Sequence, residues 1–95
     1  MKLNNDAIKE VLDYIIEKQK FDFSKCEVKT IFLSSIVDNL AQNDEDRKQE
    51  IAFAIIRCIN EGLIMNNYYH PNVVWTSAKV DDVTFKGFEW LEKHS

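Results

Sequence analysis

Apolar positions between Asp44 and Ile64 recur at helical spacing. At roughly 100° per residue, Ile51, Ala54, Ile55, Cys58 and Ile59 fall on one broad face. Asn43, Asp44 and Asp46 are credible caps, and Asp46 with Gln49 has capping-box spacing. Gly62 stands where a left-handed residue closes a helix, because glycine reaches positive φ without a Cβ clash. Leu63-Ile64 then begins an apolar strand. Gln49, Phe53, Ile56 and Asn60 fall on a second stripe, with Phe53 almost diametrically across from Ile51 and Ile55. A helix with one buried face would carry polar groups there, so Phe53 and Ile56 are anomalous.

The same patterning divides the rest of the chain. Asn4-Asn5-Asp6 cap a first helix over Ala7 to Lys20, with Ile8, Val11, Leu12, Ile15 and Gln19 inward and Ile16 at the edge. Phe21-Asp22-Phe23 alternates as a short extended piece, and Ser24 to Lys29 is ambiguous. Val28 to Leu33 is rich in β-branched and aromatic residues and predicts a strand. Ser34 or Ser35 caps a short helix to about Gln42, burying Ile36, Val37 and Leu40. Leu63 to Tyr69 and Val73 to Ser77 predict a hairpin turning at His70-Pro71-Asn72. Lys79 to Asp82 is expected to loop. Thr84 caps a last helix, Phe85 to His94, with Gly87, Phe88 and Leu91 packed on one side. Tyr68, Tyr69 and Trp75 are expected to brace the hairpin by cross-strand pairing.

Helix, strand, helix, helix, hairpin, helix is the order of an α+β winged helix. Three helices form a helix-turn-helix core, a β-hairpin is the wing, and a C-terminal helix follows. Glu61-Gly62-Leu63-Ile64 resembles the E-G-L-I that leads from the third helix into the wing in many such domains. Val83-Thr84-Phe85-Lys86-Gly87-Phe88-Glu89-Trp90-Leu91 resembles the L-T-x-x-G-x-x-x-L that follows the wing, with Val83 in place of the usual Leu. With the opening Met1-Lys2-Leu3 and its capped helix, the chain is similar to a family of small hypothetical proteins of firmicute and prophage genomes, a domain of unknown function. The resemblance implies a fold and no activity.

Composition narrows the function classes. Ninety-five residues make one domain with a core of its own. Gly and Pro together number three, so long irregular loops are not expected. The net charge of −4 disfavours general affinity for nucleic acid or anionic membrane. No apolar run approaches the ~20 residues that span a bilayer, and charges from Asp6 onward break any signal peptide. Cys26 and Cys58 lack C-x-x-C spacing; Cys58 sits on the apolar helix face and reads as a core thiol, which fits a reducing cytoplasm.

No catalytic set emerges. His94 is terminal and His70 precedes a proline in a turn. Two glycines cannot build a phosphate-cradling loop, and Asp81-Asp82 beside a helix cap reads as solvated. No metal, cofactor or small-molecule site is implied, and no enzymatic activity is expected.

Two function classes remain. In a helix-turn-helix, the start of the third helix meets the major groove, and here that start is Asp44-Glu45-Asp46. Asp44 to Glu61 carries five acids against Arg47, Lys48 and Arg57, and Gly62 to Val83 adds only Lys79 against Asp81 and Asp82. Arg47, Lys48, Gln49, Arg57 and Lys79 are the candidate contacts for a phage-type DNA-binding repressor. The favoured class is a protein-interaction or self-associating small regulator using Gln49, Phe53, Ile56 and Asn60, with a second copy the preferred partner over a foreign protein.

Overall fold

The computed structural model describes residues 4–68 and 73–94; the expected turn at His70-Pro71-Asn72, Tyr69, and the opening Met1-Lys2-Leu3 lie outside them. Within those bounds the chain is a mixed α+β fold with four helices and a few short antiparallel strands. Helix α1 spans Asn5–Lys18, and the Asn4 side chain caps it by accepting from the Ala7 amide at 3.0 Å. Strands β1 (Phe21–Asp22) and β2 (Glu27–Val28) form a small separate hairpin. Strand β3 (Ile31–Phe32) runs directly into helix α2 (Leu33–Ala41). Helix α3 covers Glu45–Asn60, followed by β4 (Ile64–Asn66), a 3-10 turn at Trp75–Ser77, β5 (Lys79–Val83) and helix α4 (Phe85–His94).

The core forms where α1, α2 and α3 meet over the sheet. Ile8, Leu12 and Ile15 from α1, Leu33 and Ile36 from α2, and Ile51, Ile55 and Cys58 from α3 are fully buried with Val80 of β5. The inward faces expected of α1 and α3 are the ones observed. Asp44 is the α3 cap: its carboxylate accepts from the amides of Asp46 and Arg47. Of the three expected caps, Asn43, Asp44 and Asp46, Asp44 takes the role, and Asp46 lies inside the first turn. Neither Ser34 nor Ser35 caps α2. That helix starts at Leu33, whose amide donates to the Ala78 carbonyl at 3.0 Å, so the residue just before β5 satisfies the first orphan donor of the helix. Gln42 and Asn43 both adopt left-handed backbone, φ 50° and 70°, and make the tight turn into α3.

The sheet order is β3-β5-β4, all antiparallel. The strand expected at Val73 to Ser77 is instead loop and 3-10 turn, and the expected loop at Lys79 to Asp82 is the central strand. Asn67 sets this register: its backbone and side chain bracket Lys79, with the Lys79 amide donating to Asn67 Oδ1 at 2.8 Å. Ile64 faces Val83 and Met65 faces Asp82, but Asn66 faces Val80, leaving Asp81 as a bulge. The bulge frees the Asp81 carbonyl, which accepts from the Gln19 side chain just beyond α1.

The two sequence motifs meet in space. Gly62 has φ 71°, and the Leu63 amide returns to the Cys58 carbonyl at 2.8 Å, closing α3. The Thr84 amide donates to the Leu63 carbonyl at 3.0 Å, and the Thr84 hydroxyl donates to the Gly62 carbonyl at 2.7 Å. The same hydroxyl oxygen accepts from the Gly87 amide at 3.1 Å, capping α4. Gly87 is buried against Leu63 and Val83, as expected. Phe88 is not packed with it: 45% of that side chain is exposed, and Trp90 and Leu91 supply the contact with the core. Tyr68 and Trp75 meet edge to face at 5.7 Å against the core, although Trp75 is not in a strand.

Candidate interaction surface

The outer face of α3 is built by the positions the core does not use. Gln49 and Asn60 are exposed on it and Phe53 is half-exposed at 45%. Ile56 is half-buried and packs against the core, so it supports this face more than it presents it. The expected four-residue stripe is therefore three exposed positions over one half-buried one, with Phe53 as its apolar centre.

The basic residues of α3 do not form a positive strip. Arg47 is turned toward α1, where it ion-pairs with Glu10, and it also pairs with Glu50 of its own helix at 2.7 Å. These two carboxylates hold the Arg47 guanidinium charge above its already high ordinary pKa, Glu50 acting most strongly. Lys48 pairs with Glu45 at 3.4 Å, and Arg57 with Glu61 at 3.6 Å. Such exposed pairs stabilise little, but each cancels a charge that a phosphate would need. Arg57, one helical turn beyond Phe53, also borders a cleft beside α4. Lys79 stands on β5 over the Phe32 ring at 5.0 Å, separate from the α3 residues. Four of the five candidate DNA contacts therefore lie on α3, its three bases each matched to a carboxylate, and Lys79 stands apart on β5.

That cleft, of about 320 Å³, lies where α1, the end of α3 and α4 converge. Ile8, Leu63 and Trp90 line it with Arg57, Lys86 and Glu89 among its charged residues. Sequence reasoning, which implied no small-molecule site, missed this cleft because it assembles from residues spread over the whole chain. A second, more open groove of about 530 Å³ runs between α1 and α4, lined by Phe85, Phe88 and Leu91 with Lys9, Asp13, Glu89 and Glu92.

The β1–β2 hairpin, ambiguous in sequence, presents a third surface. Phe21 sits opposite Val28 in register, and Phe23 meets the Phe21 ring edge-on at 5.0 Å. All three are exposed. The Asp22 carboxylate stiffens the turn by accepting from the Ser24 amide, the Ser24 hydroxyl and the Lys25 amide, and the Ser24 bond is the main cause pulling its pKa below the ordinary value. Cys26 is exposed at φ 54°. Cys58, in contrast, is buried, and desolvation pushes its thiol up to about 12.

Among the described residues, no group of three or more His, Cys, Asp or Glu side chains is placed to hold a metal, and no helix is long and apolar enough to cross a membrane. No family model, curated protein or solved structure matches this chain.

Proposed function

We propose that this chain is a winged-helix module that acts by protein contact, as a small non-enzymatic regulator, with the outer face of α3 as its contact surface. The winged-helix reading is supported by the arrangement of α1, α2 and α3 over a β3-β5-β4 sheet, with the excursion between β4 and β5 as the wing. The observation that carries the functional reading is the state of α3 itself. Each of its three bases is matched to a carboxylate, and Phe53 is left half-exposed between Gln49 and Asn60. An apolar centre with a polar rim and cancelled charge suits a protein partner better than phosphates.

Two measurements test this. Fluorescence anisotropy with random duplex DNA at near-physiological salt should give binding weaker than about 10 µM, since non-specific affinity comes from phosphate neutralisation. Micromolar binding that falls steeply with salt would instead favour a sequence-specific DNA-binding repressor. Phe53→Glu should leave the monomer folded, with a loss below about 1.5 kcal/mol, because only part of that ring is buried. Unfolding of that variant would make Phe53 a core residue and remove the surface.

A further inference from the structure

The cleft where α1, the end of α3 and α4 converge has a fixed apolar floor. Ile8 and Leu63, both buried, form it. Leu63 is held on both sides: its amide donates to the Cys58 carbonyl at 2.8 Å, and its carbonyl accepts from the Thr84 amide at 3.0 Å. One face of α4 makes the wall, since Lys86, Glu89, Trp90 and Lys93 follow at helical spacing i, i+3, i+4 and i+7. Trp90 is half-buried, and His94 stacks on it with ring centroids 4.1 Å apart. His94 does not line the cleft, so the cleft meets indole surface that this stack leaves uncovered.

The charges around the floor leave a positive excess. Three cations, Arg57, Lys86 and Lys93, stand against two carboxylates, Glu61 and Glu89, in a chain whose net charge is −4. Among the described residues neither lysine has an ion-pair partner. Glu61 lies 3.6 Å from the Arg57 guanidinium, beyond hydrogen-bonding distance, so that pair leaves the guanidinium donors unspent. The carbonyls of Arg57, Cys58 and Ile59 accept the amides of Glu61, Leu63 and Gly62, so the end of α3 sets little unspent negative charge against the cleft.

These features select a ligand. A planar guanidinium presents its donors as a fork that matches a carboxylate. An indole beside an apolar floor takes a flat ring by offset or edge-on contact. One negative charge balances the cleft, whereas a dianion such as a phosphate monoester brings a surplus against Glu61 and Glu89. The volume of about 320 Å³ stands at the lower end of small-molecule pockets, about 300–1,000 Å³, and suits a small ligand.

We propose that this cleft binds a small aromatic monocarboxylate, with the carboxylate on Arg57 and the ring between Trp90 and the Ile8–Leu63 floor. Lys86 and Lys93, exposed along the wall, add attraction at longer range. The assignment does not depend on what the outer face of α3 contacts.

The test is a titration of the isotope-labelled whole chain with cinnamate, followed by amide and indole N–H chemical shifts. Saturable shifts should appear at Leu63, along α4 from Lys86 to Lys93, and at the Trp90 indole, with a Kd of about 1 mM or tighter. The Trp75 indole, which packs against Tyr68, should not move. Cinnamamide, a neutral isostere, and inorganic phosphate, an anion without a ring, should each bind at least about tenfold more weakly. Arg57→Gln should weaken cinnamate at least about tenfold and bring it level with cinnamamide, and Arg57→Lys, which keeps the charge and loses the fork, should recover only part of that. Trp90→Leu should weaken both aromatic probes, and Lys25→Gln on the β1–β2 hairpin should leave the Kd unchanged. Circular dichroism verifies that each variant folds, and the wild-type comparison of the three probes stands without any variant. Equal affinity for cinnamate and cinnamamide, tighter binding of phosphate, shifts confined to the α1/α4 groove, or no saturation at millimolar concentration each overturn the proposal. So does cinnamate binding that a folded Arg57→Gln variant leaves unchanged.

Discussion

Gly87→Ala isolates the contact that joins the paired start of β4 and end of β5 to α4. An ideal Cβ at Gly87 would stand 2.5 Å from Val83 Cγ1 and closer still to the Leu63 carbonyl oxygen, with the Leu63 carbonyl carbon at 3.3 Å. The carbonyl cannot yield cheaply. It accepts the Thr84 amide at 3.0 Å, and its residue is tied to α3 through the Leu63 amide and the Cys58 carbonyl. Moving it disturbs the helix closure and the start of α4 together. Overpacking of this kind costs about 1–3 kcal/mol. Alanine offsets part of that by its helix preference over glycine, about 1 kcal/mol in a helix interior. The net expectation is a loss of about 1–2 kcal/mol, which in a domain of this size lowers Tm by about 5–15 °C. Urea unfolding followed by circular dichroism should show a lower midpoint with an unchanged slope. Lys86→Ala, at the exposed position beside it, should stay within about 0.5 kcal/mol of wild type. If Gly87→Ala were neutral or stabilising, α4 would not be seated on Leu63, and the spatial meeting of the two motifs would be wrong.

Other expectations follow from the same geometry. Thr84→Val should lose about 1–2 kcal/mol in denaturant unfolding, since one hydroxyl both caps α4 and donates to the Gly62 carbonyl. Native protein should consume one maleimide quickly, at Cys26, and a second only on unfolding, at Cys58; two fast thiols would expose Cys58. The Cys58 thiol is raised from 9.0 to about 12 by burial, so between those values the unfolded chain binds fewer protons than the native one. Stability should therefore fall as pH rises above about 9, at about 1.4 kcal/mol per unit from this group, and a Cys58→Ala variant should lack that component.

Much of the helical frame was legible because it is periodic. Ile51, Ile55 and Cys58 recur at spacings that only a helix brings to one side, and Asn4 and Thr84 announce their caps by residue type. The sheet was less legible for a physical reason. Val80 and Val83 both point inward, yet they are three residues apart, and a strand's period is two. The bulge at Asp81 absorbs the odd residue, so the central strand is disguised as a charged loop, Lys79 to Asp82. Trp75, whose aromatic side chain argues for a strand, lies instead in a 3-10 turn against Tyr68. Local composition cannot reveal either, because the register is set by Asn67, twelve residues before Lys79.

The surfaces divide along the same line. That the segment from Asp44 to Glu61 is acidic could be counted from its residues. What counting cannot supply is direction, and direction decides the matter for Arg47 and Arg57. Arg47 leans back onto Glu10 of α1, and Arg57 reaches along its own helix to Glu61. Without those partners the segment would offer two uncancelled guanidinium groups to a phosphate backbone. Their pairing leaves little net charge on the helix around Phe53. The hairpin followed the opposite course. Phe21, Phe23 and Val28 look in sequence like fragments of an uncertain loop, and only the register that sets Phe21 against Val28 gathers them on one face. Once gathered, they form an exposed apolar face whose own charges, Lys25 against Asp22 and Glu27, leave no positive excess.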